Sequence, residues 1–175
     1  MTEGTEGGGL QRGTATPAAE REAGPGTMEE AEAALAGLET DAPRVGIIMG
    51  SKSDMEVMEQ AGAVLEERGI RYEMRVMSAH RQPDVVADYC RNAQMRGLRV
   101  IIAGAGLSAA LPGVAAAHTE LPVIGVPLSS RLSAMGGLDA ILSVTQMPPG
   151  VPVAAVGLDN AKNAGHLAAR ILSTA

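Results

Sequence analysis

Phenylalanine and tryptophan are absent from the 175-residue chain, and Tyr72 and Tyr89 are its only aromatic residues. A core built from this chain must be aliphatic, and the aromatic platforms on which single-stranded nucleic acid stacks are missing. Cysteine is scarce too. Cys90 alone excludes an internal disulfide framework and a multi-cysteine zinc or iron–sulfur centre, and it agrees with a cytoplasmic setting. No apolar run approaches the ~18 residues of a membrane-spanning helix. The residues that do abound are small or aliphatic: 46% of the chain is hydrophobic, 19% is charged, and there are 22 glycines. That composition suits one globular domain.

Charge divides the chain in two. Residues 1–43 carry nine acids against Arg12 and Arg21, a net of −7, whereas residues from Arg44 onward carry 12 basic and 11 acidic groups. The acidity therefore belongs to the leader and does not argue against an anionic ligand in the rest. Residues 1–27, rich in Gly, Thr, Glu and Pro, have almost nothing to bury and are expected to be disordered. They lack the features of a secretory signal or a transit peptide. An Ala/Glu/Leu-rich stretch over 28–38 has the composition of a short helix, and Met28 offers an internal start.

From Arg44 one rhythm recurs five times: a short β-branched apolar run, a turn bearing Gly, Ser or Pro, then a helical pattern. The runs are Val45–Met49, Tyr72–Met77, Val100–Ala103, Val123–Val126 and Val151–Val156. Apolarity that is largely continuous along each run predicts strands covered on both faces, as in a parallel sheet. Helices are expected over Ser53–Arg68, Gln82–Arg96, Ser108–Ala117, Gly137–Ser143 and Asn160–Leu172. Ser53 is read as the N-cap of the first and Pro83 as part of the opening turn of the second. Right-handed crossovers turn this pattern into an open α/β sandwich with a five-stranded parallel sheet.

Ligands on such a sheet sit beyond the carboxyl ends of the strands. The segments found there are Gly50-Ser51-Lys52-Ser53-Asp54, Ser78-Ala79-His80-Arg81, Gly104-Ala105-Gly106-Leu107-Ser108 and Pro127-Leu128-Ser129-Ser130, with Gln146-Met147-Pro148-Pro149-Gly150 ahead of the fifth strand. Small residues let backbone amides approach a ligand, and Arg81 adds a rigid cationic fork, so a phosphate is the expected guest. Neither glycine loop is a nucleotide fingerprint: Ser51 stands where a Walker A loop needs Gly, and Ala109 occupies the third glycine position of a Gly-x-Gly-x-x-Gly.

Taken together and in order, these stretches resemble one family, the class I N5-carboxyaminoimidazole ribonucleotide mutases of purine biosynthesis, also called the catalytic subunit of phosphoribosylaminoimidazole carboxylase. The resemblance rests on Met49-Gly50-Ser51-Lys52-Ser53-Asp54, Ser78-Ala79-His80-Arg81-Gln82-Pro83, Ala103-Gly104-Ala105-Gly106, Leu111-Pro112-Gly113, Pro122–Pro127, Gln146-Met147-Pro148 and Asn163-Ala164, and it runs from about Arg44 to Leu172. It implies a flavodoxin-like subunit in a homo-octamer with shared active sites. The implied reaction moves a carboxylate from the exocyclic nitrogen of an aminoimidazole ribonucleotide to carbon 4 of its ring, with no cofactor and no metal. His80 matches the family's catalytic histidine. Ser51, Asp54 and Arg81 match substrate contacts, and Gly50, Ser78, Ala79, Gly104, Ala105, Gly106, Ser108 and Leu111 complete the expected binding set. The resemblance also implies a cytoplasmic enzyme and transient contact with the synthetase that forms the labile carbamate.

The chain departs from the family at one loop. The familiar Gly-Gly-Ala-Ala-His-Leu-Pro-Gly is here Gly106-Leu107-Ser108-Ala109-Ala110-Leu111-Pro112-Gly113, so Ala110 replaces a second histidine. Ser108 is the candidate to bond the carboxylate or CO2 in its place. Two other functions stay open: a carboxylase that uses free CO2 on the same fold, and a non-catalytic nucleotide- or flavin-binding module, which the lack of aromatic residues disfavours. Plainer roles are equally available to single residues. Asp54 can serve as first-turn decoration, Arg81 can pair with Asp84 on a solvated face, and Lys52 can be an ordinary loop charge. Ser129, Ser130 and Arg131 can form a mobile loop or an intersubunit contact. His118 and His166 read as surface or helix-packing residues, Cys90 as a buried apolar residue and the ten methionines as core filler, although the resemblance implies that Met147, in Gln146-Met147-Pro148, belongs to a loop that reaches a neighbouring active site.

Overall fold

The computed structural model describes residues 27–30, 32–33 and 42–174. The chain divides into two compact units, residues 1–35 and 36–175. In the first, residues 28–30 and 32–33 are helical. Thr27 and Glu30 cap that helix reciprocally: each backbone N–H donates to the other's side chain at 3.1 Å. The disorder expected of the leader, and the end of the helix toward residue 38, lie outside the described residues.

The second unit holds five strands, β1 (Val45–Met49), β2 (Tyr72–Val76), β3 (Val100–Gly106), β4 (Val123–Leu128) and β5 (Ala154–Ala155), ordered β2-β1-β3-β4-β5. Every pairing is parallel. Five helices connect or follow them: α1 (Met55–Glu66), α2 (Pro83–Asn92), α3 (Leu111–Ala116), α4 (Leu138–Thr145) and α5 (Ala161–Ser173). This is the flavodoxin-like three-layer sandwich expected from the resemblance.

Alternate residues of the central strands feed two separate cores. Val45, Ile47 and Met49 of β1, with Val100 and Ile102 of β3, face Met58, Ala61 and Leu65 of α1 and Ala164 and Ala168 of α5. Ile48, Ile101 and Ala103 face the other way, onto Val86, Tyr89, Leu111, Ala115 and Val144 of the remaining helices. Burial on both sides is why β1 reads as an unbroken apolar run. The two tyrosines are accommodated by glycines. A Cβ at Gly46 would lie 2.3 Å from the Tyr89 hydroxyl oxygen, and one at Gly62 would lie 2.6 Å from that of Tyr72. Tyr72 also donates to Glu66 at 2.6 Å. Cys90 is buried, as expected.

Several boundaries differ from the sequence reading. The residue capping the entry to α1 is Ser51, not Ser53. In extended backbone, φ −149° and ψ 156°, its hydroxyl accepts the Ser53 N–H, and a 3-10 turn over Lys52–Asp54 leads into the helix. Helix α3 starts at Leu111 and not at Ser108, because Leu107 is held at φ 58° and the chain turns tightly there. Strand β5 shrinks to Ala154–Ala155. Pro152 has no N–H to donate to a ladder, and Val151 and Val153 pack on the helical face beside them instead. Strand β3 continues three residues past its apolar run, through Gly104, Ala105 and Gly106. Strand β2 is an edge strand whose Glu73 pairs with Arg75 and Arg96.

Helices α1 and α5 approach closely over a run of small residues. A Cβ on Gly165 would sit 2.7 Å from the Ala61 carbonyl oxygen and 3.0 Å from Val64 Cβ. Backbone cannot swing aside as a side-chain tip can, so overpacking should outweigh the helix-propensity gain of alanine. Gly165→Ala should therefore destabilise the fold by about 1–2 kcal/mol in denaturant unfolding; unchanged or increased stability would show that the helix pair is not tightly packed here.

Candidate active site

Four strand ends open into one cleft of about 550 Å³. The loop after β1 contributes Gly50, Ser51 and Asp54, and the loop after β2 contributes Ser78, Ala79, His80 and Arg81. The end of β3 and the loop beyond it contribute Ala105, Gly106, Ser108 and, at the start of α3, Leu111. Of the residues assigned to the site from sequence, Gly104 alone stays outside the lining. It sits in the sheet beneath, where its carbonyl accepts the Gly50 N–H at 3.3 Å and its missing Cβ leaves room for the Met58 sulfur, 2.4 Å from where a Cβ would be.

The first two loops are locked together. Ser51 and Asp54 form a capping box in which Asp54 Oδ2 accepts the Ser51 N–H at 3.0 Å, while Asp54 Oδ1 accepts the Ser53 hydroxyl at 3.2 Å. Arg81 donates from Nη2 to the Gly50 carbonyl at 2.9 Å, which leaves the rest of its guanidinium fork available; it does not pair with Asp84. Ser78 is buried, and its hydroxyl accepts the Arg81 N–H at 3.4 Å, shaping the turn that presents His80. His80 lines the cleft, is exposed and makes no hydrogen bond within the described residues, so both ring nitrogens are without a protein partner there.

The third loop carries backbone strain. Leu107 adopts φ 58°, a left-handed conformation uncommon for a residue with a branched side chain. Close main-chain bonds follow, from Ala109 N–H to the Leu107 carbonyl at 2.8 Å and from Ala110 N–H to the Ser108 carbonyl at 2.6 Å. The Ser108 hydroxyl is left exposed in the cleft with no protein partner among the described residues, and Ala110 contributes only a methyl group to the wall.

The last residue of β4, Leu128, and Ser129, Ser130 and Leu132 of the loop after it also line the cleft. Strand-end logic pointed to this segment without selecting it for the site. Gln146 to Pro148 do not line this cleft; Met147 lies against α3, with its methyl group 3.1 Å from where a Gly113 Cβ would be. His118 and His166 sit elsewhere, each with Nδ1 near an arginine, Arg91 at 3.5 Å and Arg68 at 3.3 Å.

Short polar side chains, an unpaired imidazole and a cationic fork beyond the carboxyl ends of a parallel sheet define a flavodoxin-like α/β protein suited to a small anionic ligand. The family model described as AIR carboxylase matches residues 44–175, and the chain belongs to that family. It is 60% identical over 131 residues to the N5-carboxyaminoimidazole ribonucleotide mutase of Pyrococcus abyssi, covering 75% of this chain and 74% of that protein. The mutase of Thermotoga maritima is 60% identical over 130 residues, covering 74% and 75%. Among solved structures, the crystal structure of Treponema denticola PurE superposes with a TM-score of 0.67 at 36% identity, over 75% of this chain and 81% of that one.

Burial pushes the Asp54 carboxyl above its ordinary 3.8, and the hydrogen bonds from Ser53 and Ser51 pull it part of the way back. The folded chain therefore holds this proton more tightly than the unfolded chain. Its contribution to stability is fully present below 3.8 and is lost as pH rises through the folded value. In denaturant titrations from about pH 4 to pH 7, the stability of the wild type relative to Asp54→Asn should fall as pH rises. A relative stability that grows with pH would reverse the assignment.

Proposed function

We propose that this chain is an N5-carboxyaminoimidazole ribonucleotide mutase of purine biosynthesis. The observation that carries the proposal is the meeting, in one cleft, of an unpaired His80 ring, the Arg81 fork, the Ser51–Asp54 capping box and the free Ser108 hydroxyl. Relatives with 60% identity that bear the mutase name support it.

The chemistry needs few groups. The carbamate N–C bond breaks, its electron pair returns to the exocyclic nitrogen, and that nitrogen takes a proton. Carbon 4 of the resulting aminoimidazole attacks the released CO2, and the proton on carbon 4 then leaves. One proton is given and one is taken, so a single imidazole can serve both steps and finish as it began. His80 is assigned that role. Arg81 and the Ser51 hydroxyl hold the phosphate, and Asp54 accepts the ribose hydroxyls. Gly50, Ala79, Ala105 and Gly106 keep side-chain bulk out of the ligand's way, while Gly104 supports them from the sheet beneath. Leu111, with Leu107 and Leu132 once a neighbouring subunit covers them, forms the apolar wall that confines CO2, and the Ser108 hydroxyl donates to the migrating carboxylate where Ala110 offers no polar atom.

The active form is a homo-octamer with sites shared between neighbours. In its support, Leu132 of the cleft lining is 78% exposed and Met135, in the turn that follows, is 85% exposed, apolar side chains that a neighbouring subunit would cover, and the Gln146–Pro148 loop lies away from its own chain's cleft. Transient contact with the synthetase that makes the carbamate, and a cytoplasmic location, complete the proposal. Among the described residues no helix is long and apolar enough to cross a membrane.

His80→Asn should lower turnover by at least about 10²-fold while ligand still binds; substantial residual activity would move the proton carrier elsewhere. Arg81→Ala should raise KM by an amount equivalent to about 1.5–3 kcal/mol, and an unchanged KM would contradict its phosphate role. Ser108→Ala with unaltered turnover and affinity would remove Ser108 from the scheme. Because the family model carries a carboxylase description, each substrate is offered separately. Efficient use of bicarbonate with aminoimidazole ribonucleotide, and none of the carbamate, would favour the carboxylase over the mutase.

A further inference from the structure

The β4 end of the cleft is held by a residue distant in sequence and outside the lining. Asp159, in the turn between β5 and α5, receives two hydrogen bonds from Ser129: the backbone N–H donates to Oδ1 at 2.8 Å and the hydroxyl donates to Oδ2 at 2.6 Å. Its own N–H donates to the Pro127 carbonyl at 2.9 Å. These three bonds fasten one turn to the last residues of β4 and to the first residue beyond it. Asp159 makes them from φ 52°, a left-handed conformation that a non-glycine residue adopts at a cost. Neighbouring residues have separate duties. Asn160 caps α5 through the Asn163 N–H at 3.2 Å, and the Leu158 side chain fills the space at Gly137, 2.7 Å from where a Cβ would lie. Strain kept at a position whose side chain serves only a cleft residue points to function.

We infer that Asp159 is a positioning residue that sets the polarity of Ser129 at the β4 end of the cleft, an inference that rests on the mutase function proposed above. The Ser129 hydroxyl spends its only hydrogen on the carboxylate, so toward the ligand its oxygen can only accept. Donation to an anion also makes that oxygen a better acceptor. This end of the cleft therefore receives an N–H or O–H donor of the substrate, either the exocyclic amine or a ribose hydroxyl that Asp54 leaves free. Among the described residues Arg81 is the one cationic side chain that lines the cleft, so a phosphate is assigned to its fork and not to the β4 end. The cleft thus has a direction: anion at the β1–β2 loops, hydrogen-bond donor at the β4 loop.

Asp159→Asn is nearly isosteric and tolerates the left-handed backbone, yet its amide donates to the Ser129 oxygen and frees the serine hydrogen to turn into the cleft. KM should rise about tenfold, with kcat changed by no more than about threefold. Ser129→Ala should do the same, and the double variant should be no more than about twofold worse than the weaker-binding single variant. Asp159→Gly, which relieves the strain, provides a second variant and should raise KM without lowering thermal stability. An unchanged KM in both Asp159 variants, or losses that multiply in the double variant, would overturn the inference.

Competition by ribose 5-phosphate separates the two donors. If Ser129→Ala weakens it, the partner is a ribose hydroxyl; if it does not, the partner is the amine. Should the wild type fail to turn over the carbamate, the proposed function falls while the clamp remains testable. In Asp159→Gly, which removes the acceptor, the Ser129 amide should exchange its hydrogen about tenfold faster, and unchanged exchange would refute the clamp itself.

Discussion

The cleft depends on main-chain hydrogen bonds that carry the parallel ladder just past the strand ends. Gly50 donates to Gly104, Met77 to Met49 and Asp159 to Pro127. Each is worth only about 0.5–1.5 kcal/mol net, but together they decide where each loop leaves the sheet. Beneath them Ile47, Ile48, Met49, Ile101 and Ile102 are fully buried, so the ladder cannot slide without turning a core face outward. Loops launched from a base that cannot slip can carry short side chains and still meet.

That rigidity suits the assigned chemistry. A carboxylate that leaves one atom and joins another a short distance away needs little motion from the protein and much confinement. Small residues and leucines supply the walls, while the polar groups are fixed by their own neighbours: Ser78 shapes the turn before His80, Asp54 closes a box with Ser51, and Asp159 orients Ser129. Preorganisation of this kind places the cost of ordering on folding and not on each catalytic cycle. Only the His80 ring and the Ser108 hydroxyl lack such partners among the described residues, and these are the two groups whose assigned partners change during the reaction.

How much of this was legible in the sequence follows from how each contact is made. Strand β1 was placed to the residue because both of its faces are buried and a glycine marks its end. Strand β3 looked too short because Gly104, Ala105 and Gly106 carry no apolar signal although their backbone continues the ladder. Strand β5 looked too long because Val151 and Val153 are apolar for packing and not for pairing. Helix α3 lost its first three expected residues to a left-handed Leu107, which no periodicity reveals. Around the cleft, the strand-end rule pointed to the segments that hold His80, Arg81, Ser51 and Asp54, and the roles expected of them came from the family resemblance. Ser129 was not selected, since its significance depends on Asp159, 30 residues away in a segment with no motif of its own. The Ala110 departure was visible at once, but that the neighbouring Ser108 hydroxyl is unpaired within the described residues required the structure.

The most direct test is the fate of the migrating carbon. Carbamate labelled with 13C in its carboxyl group should be supplied to the enzyme in a large excess of unlabelled bicarbonate and the product analysed by mass. If the cleft holds CO2 between bond cleavage and bond formation, the label should be retained in the carboxylate on carbon 4. Product carrying the unlabelled carbon of the surrounding solution would mean that CO2 escapes, and the confinement from which the mechanism is built would be contradicted.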